Sequence, residues 1–200
     1  MTVNVAAELK SIVRVRTEPV GRAVSRLGIS ANTLTLIGLG LNVGAAALVA
    51  SGWLTAGGVA FLVASAFDTL DGAVARASGT ESPFGAFLDS VADRYAEAVL
   101  FVPLLLLFAA QEQRGLIVAC AAALVGSLLV SYARARAEGL GVDCEIGLLQ
   151  RPERVILLAA GLIWPDLLLA PVVVILAVMT NLTVVQRALH VRRLLRAKAE

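Results

Sequence analysis

Charge is what this 200-residue chain has least of. Charged residues make up 16% and hydrophobic residues 58%, against about 25% and roughly 45–50% in soluble globular domains. Mean hydropathy is +0.84. A soluble domain of this length has no interior large enough for so much apolar surface, so the composition excludes a soluble enzyme, a disordered chain and a nucleic-acid module. Histidine occurs once, as His190 in a basic stretch, where it reads as solvated. Cysteine occurs twice, as Cys120 and Cys144, with no CxxC or other ligand spacing, which leaves two free thiols. Also missing is a small-residue cleavage site after a short apolar core near the N-terminus. The first 30 residues instead carry Lys10, Arg14, Arg16, Arg22 and Arg26, so no cleaved leader is expected.

What is present is long apolar runs. A membrane-crossing helix needs about 20 mostly apolar residues. Six candidate spans follow, at 31–51, 54–76, 86–109, 114–136, 153–167 and 168–188. The fifth is the shortest, since Arg154 opens it and Pro165 and Asp166 interrupt it. The basic residues sort to one side: the five before residue 30, then Arg134, Arg136, Arg151 and Arg154, then Arg187, Arg192, Arg193, Arg196 and Lys198. The positive-inside bias therefore predicts cytoplasmic termini and a multi-pass protein of the cell membrane. Residues 4–27 alternate apolar and basic positions, as an interfacial amphipathic helix does. The expected organisation is an all-α integral membrane protein: an interfacial helix in 1–30, a six-helix membrane domain in 31–190 and a basic tail in 191–200. Gly40 and Gly44 form a small-xxx-small pair expected to serve packing within the chain.

Ionisable groups inside spans cost about 2.5–3.5 kcal/mol each on insertion scales, so they mark function by default. Asp68 and Asp71 are spaced i, i+3 near the end of span two, and Asp89 and Asp93 i, i+4 near the start of span three. Each pair shares a helix face, and the short linker over 77–84 lets the two faces meet at one depth. Four converging carboxylates need a cation. Oxygen ligands without His or Cys favour Mg²⁺, Mn²⁺ or Ca²⁺ over zinc, and four acids suffice for two ions that clamp phosphate oxygens. Gly72 and Gly85 leave room for a ligand beside the backbone, and the Arg76 fork suits a phosphate. An ion or proton transporter is the rival reading. It expects acids at the midplane and an inverted repeat, whereas these acids cluster at one side and no such repeat is seen.

The run Asp68-x2-Asp71-Gly72-x2-Ala75-Arg76-x8-Gly85-x3-Asp89-x3-Asp93 resembles the signature of the CDP-alcohol phosphotransferase family, matching at all eight positions. The resemblance implies a homodimeric enzyme that displaces CMP from a CDP-linked lipid with an alcohol. It implies Mg²⁺ or Mn²⁺ at Asp68, Asp71, Asp89 and Asp93, with Asp93 also the general base. Gly72, Ala75, Arg76 and Gly85 would line the CDP pocket. Asn32, Thr33 and Thr35 open span one, where they either contact the cytosine or cap the helix.

For the acceptor, Ser131-Tyr-x-x-Ala-Arg-Ala-Glu-Gly-Leu-Gly followed by Gln150-Arg-Pro-Glu-Arg154 is similar to the prokaryotic phosphatidylinositol phosphate synthase branch of that family. That branch joins CDP-diacylglycerol to inositol phosphate, here inositol 1-phosphate. Many of its members carry Lys where this chain has Arg134. Ser131 and Arg134, spaced i, i+3, with Arg154 and Arg187 from two further helices, are the residues expected to meet the acceptor phosphate, since guanidinium groups pair bidentately with phosphate. Phosphatidylglycerol phosphate synthases, which use glycerol 3-phosphate, are the alternative. An ether-linked archaeal-type donor also remains open. Arg94 and Glu97 have no part in this scheme beyond pairing with a neighbouring helix.

Overall fold

The computed structural model describes residues 19, 23 and 28–198. The interfacial helix expected over 4–27 therefore lies outside the described residues apart from two isolated positions. The described residues form helices only: α1 (Ala31–Ala50), α2 (Leu54–Phe67), α3 (Thr69–Ser78), α4 (Pro83–Ala110), α5 (Arg114–Glu138), α6 (Arg151–Ile163), a π-helical turn (Pro165–Leu169) and α7 (Ala170–Ala197).

Local chemistry sets the boundaries. Ser30 Oγ accepts the Thr33 backbone N–H at 3.1 Å and starts α1. Ser82 Oγ does the same for Gly85 at 3.0 Å, with Pro83 in the first turn of α4 where a missing N–H costs nothing. Gly79 ends α3 in the left-handed region, at φ 65°. Between α2 and α3 the axis is interrupted only at Asp68, whose N–H still donates to Ala64.

Four stretches are long and apolar enough to cross a membrane: Ala31–Ala50, Leu54–Ser78, Arg114–Glu138 and Pro165–Ala197. Two of the six expected spans do not meet that description. The 28-residue α4 is long enough but carries Asp89, Asp93, Arg94 and Glu97. The 13 residues of α6 are too few. The expected break between spans five and six also moves. α6 ends at Ile163, and the chain reverses through Trp164 and the π-helical turn, so that a Cβ on Gly161 would meet Val172 at 3.2 Å. The expected tail after residue 190 is a continuation of α7 to Ala197.

The core runs through the bundle as Phe61, Leu100, Phe101, Leu104, Leu158 and Leu162. The outward surface is equally apolar, with Leu41, Val63, Leu106 and Val118 exposed, as a lipid-facing bundle requires. α5 packs most closely on α7, and α1 on α4 and α2. Small residues permit this: a Cβ on Gly126 would run into Thr180, and one on Gly58 would sit 2.7 Å from Leu162 Cβ. Gly40 and Gly44 correct the expectation stated for them. Both are exposed with nothing within 4 Å of a Cβ, so among the described residues they pack against nothing.

Candidate active site

The joint between α2 and α3, the first turn of α3 and the second turn of α4 bring three carboxylates together. Asp68, Asp71 and Asp89 each offer an oxygen, and these oxygens all lie within 4.8 Å of one another. Asp68 and Asp71 are buried at 7% exposure each. Thr35 Oγ1 donates to Asp71 Oδ2 at 2.7 Å, and the Gly72 N–H donates to the other Asp71 oxygen. Gly38 on α1 makes the room: a Cβ there would stand 3.1 Å from Asp68 Oδ1. An all-oxygen, anionic donor set of this kind fits a hard divalent cation.

Asp93 stands one turn further along α4 and is not part of that trio. Its carboxylate meets Arg151 instead, with Nη2 at 2.7 Å from Oδ1. The same Nη2 donates to Asp68 Oδ2 at 2.9 Å.

A cavity of about 210 Å³ opens beside the trio, lined by Asp71, Asp89, Asn32, Gly72, Ala75 and Gly85. Four of the residues expected to hold the CDP moiety therefore share one wall system with two of the acids. Gly72 leaves room for Arg76, whose Nη1 is 3.2 Å from where a Cβ would be, while Arg76 itself is exposed and does not line the cavity. Thr33 is placed differently. Its hydroxyl and N–H both bond Ser30, so it belongs to the helix cap and does not line the cavity.

A larger cavity of about 670 Å³ lies on the other side of α4, between it and α5. Asp93, Arg151, Ser131 and Arg134 border it. Arg134 is anchored at its edge by Glu138 at 2.8 Å and Glu145 at 2.9 Å. The expected meeting of arginines from three helices is corrected here. Arg154 is 2% exposed and lies on Glu97, Nε to Oε1 at 2.6 Å and Nη2 to Oε2 at 2.9 Å. Arg187 is 3% exposed and donates to the backbone carbonyls of Ile146 and Val130. Neither borders the cavity that holds Ser131 and Arg134. Both hold the 142–150 segment against the bundle, since Arg154 Nη1 also donates to Leu149 O.

Two residues at this site escape sequence reasoning. Thr35 reads as a cap or a base contact, yet it orients Asp71. Arg151 reads as a topology determinant, yet it touches two of the four acids. The available signal was spacing: Arg151 and Arg154 are i, i+3 on α6, and Asp93 and Glu97 are i, i+4 on α4, so two charge pairs form successive rungs between the helices.

Comparison with known proteins agrees with this arrangement. Residues 28–192 match the model of the CDP-alcohol phosphatidyltransferase family. The phosphatidylinositol phosphate synthase of Mycobacteroides abscessus is 38% identical over 186 residues, 88% of this chain and 83% of that one. The archaetidylinositol phosphate synthase of Methanothermobacter thermautotrophicus is 37% identical over 190 residues, 92% of each. Among solved structures, Mycobacterium tuberculosis phosphatidylinositol phosphate synthase with CDP-DAG bound superposes with a TM-score of 0.82 at 34% identity, covering 88% of this chain and 92% of that one. The same enzyme in complex with manganese and citrate also gives 0.82, at 35% identity and 88% of each chain. Two buried carboxylates and a half-buried third beside a glycine-walled cavity are thus what this sequence builds as a member of the CDP-alcohol phosphatidyltransferase family.

Proposed function

We propose that the protein transfers the phosphatidyl group of CDP-diacylglycerol to inositol 1-phosphate and releases CMP. The observation that carries this reading is the position of Asp93. It lies between the carboxylate trio with its small cavity and the larger cavity lined by Ser131 and Arg134. A donor diphosphate on one side and a phosphorylated acceptor on the other would meet at that carboxylate. The relatives named above support both substrates.

Asp68, Asp71 and Asp89 would hold the Mg²⁺ or Mn²⁺, with Asp93 near enough to contribute to a second ion. Such ions supply positive charge to the diphosphate oxygens and to the departing CMP. Asn32, Gly72, Ala75 and Gly85 would seat the nucleotide, with Arg76 beside Gly72 to meet its phosphates. Ser131 and Arg134 would hold the acceptor phosphate, with Arg154 and Arg187 fixing the cavity's walls from behind. An Asp93 oxygen takes the proton of the attacking hydroxyl. The hydroxyl oxygen bonds to the lipid-bearing phosphorus, and the bond from that phosphorus to CMP breaks.

The same reading has the chain crossing the cell membrane six times as a homodimer, with both ends cytoplasmic. α4 and the α6 hairpin would supply the two crossings whose charge or length departs from an ordinary span. Asp89, Asp93, Arg94 and Arg151 border the two cavities, and Glu97 is paired with Arg154.

The test is CMP release by purified protein with CDP-diacylglycerol and Mg²⁺, run separately with inositol 1-phosphate, glycerol 3-phosphate, inositol and serine. Release with inositol phosphate alone is expected. Release with glycerol phosphate alone moves the acceptor assignment, and release with none removes the reading. Chelation by EDTA is expected to stop turnover and added Mg²⁺ or Mn²⁺ to restore it.

A further inference from the structure

Arg151 is seated unlike its neighbour Arg154. Arg154 lays two parallel donors on one carboxylate, the arrangement that a guanidinium fork favours. Arg151 instead sets a single nitrogen, Nη2, between Asp68 and Asp93. Only the contact to Asp68 has hydrogen-bond geometry. Among the described residues, Asp93 Oδ1 is buried without an aligned donor, and Arg151 Nε is buried with no acceptor. A buried orphan donor on an arginine costs free energy that a finished structural pair would not leave unspent. What this seat does supply is one positive charge where acids converge. It is also the charge that a divalent cation would bring to Asp68. The side chain is 32% exposed, and the space that it borders is the Ser131–Arg134 cavity.

We propose that Arg151 is an internal counter-cation that a divalent ion displaces from Asp68, and that the freed guanidinium turns into the Ser131–Arg134 cavity to hold the acceptor's phosphate. The inference rests on the reading above that the trio binds a metal and that this cavity binds a phosphorylated alcohol. It adds an order of events. Before the ion binds, Arg151 relieves repulsion between Asp68 and Asp93 but keeps one phosphate donor out of the acceptor cavity. Once the ion neutralises Asp68, that donor is released. Binding of ion and of phosphate must then strengthen each other by the same factor.

The experiment is Mn²⁺ titration of the full-length, detergent-solubilised protein, read by loss of the free aqueous Mn²⁺ EPR signal, with and without inorganic phosphate. Wild type is expected to bind Mn²⁺ at least fivefold more tightly when phosphate is present. Arg151→Gln is expected to bind Mn²⁺ at least tenfold more tightly than wild type without phosphate, and to gain less than twofold from phosphate. Arg94→Gln supplies the control for bulk charge. It removes a cation from the same turn as Asp93, but Arg94 donates to the Ser90 carbonyl, so less than a threefold change is expected. An Arg151→Gln protein that binds Mn²⁺ no more tightly than wild type overturns the proposal, as does a phosphate effect of equal size in both. If that variant does not fold, the wild-type titration decides: Mn²⁺ affinity indifferent to phosphate overturns it. The CMP-release assay separates the two levels. The expected Mn²⁺ pattern without CMP release from any acceptor supports the Arg151 inference while the substrate reading falls.

Discussion

Arg154 and Glu97 form a bidentate ion pair between α6 and α4 with almost no exposure to solvent, 2% for the arginine and 8% for the glutamate side chain. The pair lies one rung deeper in the bundle than Arg151 and Asp93, so it sets the register in which α6 presents Arg151 to the acids.

Breaking this pair from one side leaves a buried charge without its partner, which costs about 3–5 kcal/mol, whereas apolar replacement of both partners is often neutral. Glu97→Gln and Arg154→Met are each expected to lower thermal stability strongly, and the double variant Arg154→Met/Glu97→Leu to recover most of the loss. Unfolding midpoints of the purified proteins in one detergent check this. Single-variant losses under about 1 kcal/mol, the range of exposed pairs, would mean that solvent screens the pair.

The second prediction concerns Thr35. Its hydroxyl donates to Asp71 Oδ2 at 2.7 Å and thereby leaves that carboxylate one orientation. Partners that orient ligand carboxylates are worth about 10–100-fold in metal affinity or activity. Thr35→Val keeps the shape and removes the donor, so Mn²⁺ affinity should fall within that range. Thr35→Ser should restore it. Equal affinity in all three proteins would show that Asp71 is held by the Gly72 N–H alone.

These two cases mark where the sequence was legible. Asp68, Asp71 and Asp89 come together because helical spacing and a short linker leave them few alternatives, and both constraints are local. The partners of the arginines are not local. The positive-inside bias accounts for every arginine expected at a cytoplasmic helix end, and the spacing that matches Arg151 and Arg154 to Asp93 and Glu97 tells only once α6 is known to face α4. Which acid each one meets depends on the register of α6 against α4, set by the path of residues 139–150. The span count meets the same difficulty: charge on α4 and brevity in α6 are the marks of a site-bearing helix, and they are also what a hydropathy reading counts against a crossing.

Asp93→Asn is the direct test of the base. The substitution keeps the size of the side chain and removes its capacity to take a proton at neutral pH. General-base assistance is worth about 10²–10⁴-fold, so kcat should fall by that factor while CDP-diacylglycerol binding, measured separately, stays within a few-fold of wild type. Near-normal turnover would return the proton to water or to another carboxylate. Lost donor binding with a proportionate loss of turnover would make Asp93 a ligand and not a base.

The glycines separate close packing from open surface. Gly126 faces Thr180 across the α5–α7 contact, and Gly58 faces Leu162 across α2–α6, with no room for a Cβ at either. Overpacking at such positions costs about 1–3 kcal/mol. Gly126→Ala and Gly58→Ala are therefore expected to lower the unfolding midpoint. Gly40 and Gly44 have the same residue type and helical setting but nothing within 4 Å among the described residues. There alanine only narrows the unfolded ensemble, a gain of about 0.4–1 kcal/mol, so Gly40→Ala and Gly44→Ala should leave the midpoint unchanged or raise it. A clear loss at Gly44, together with a shift from dimer to monomer in size-exclusion chromatography with light scattering, would place a second copy of the chain on that face of α1.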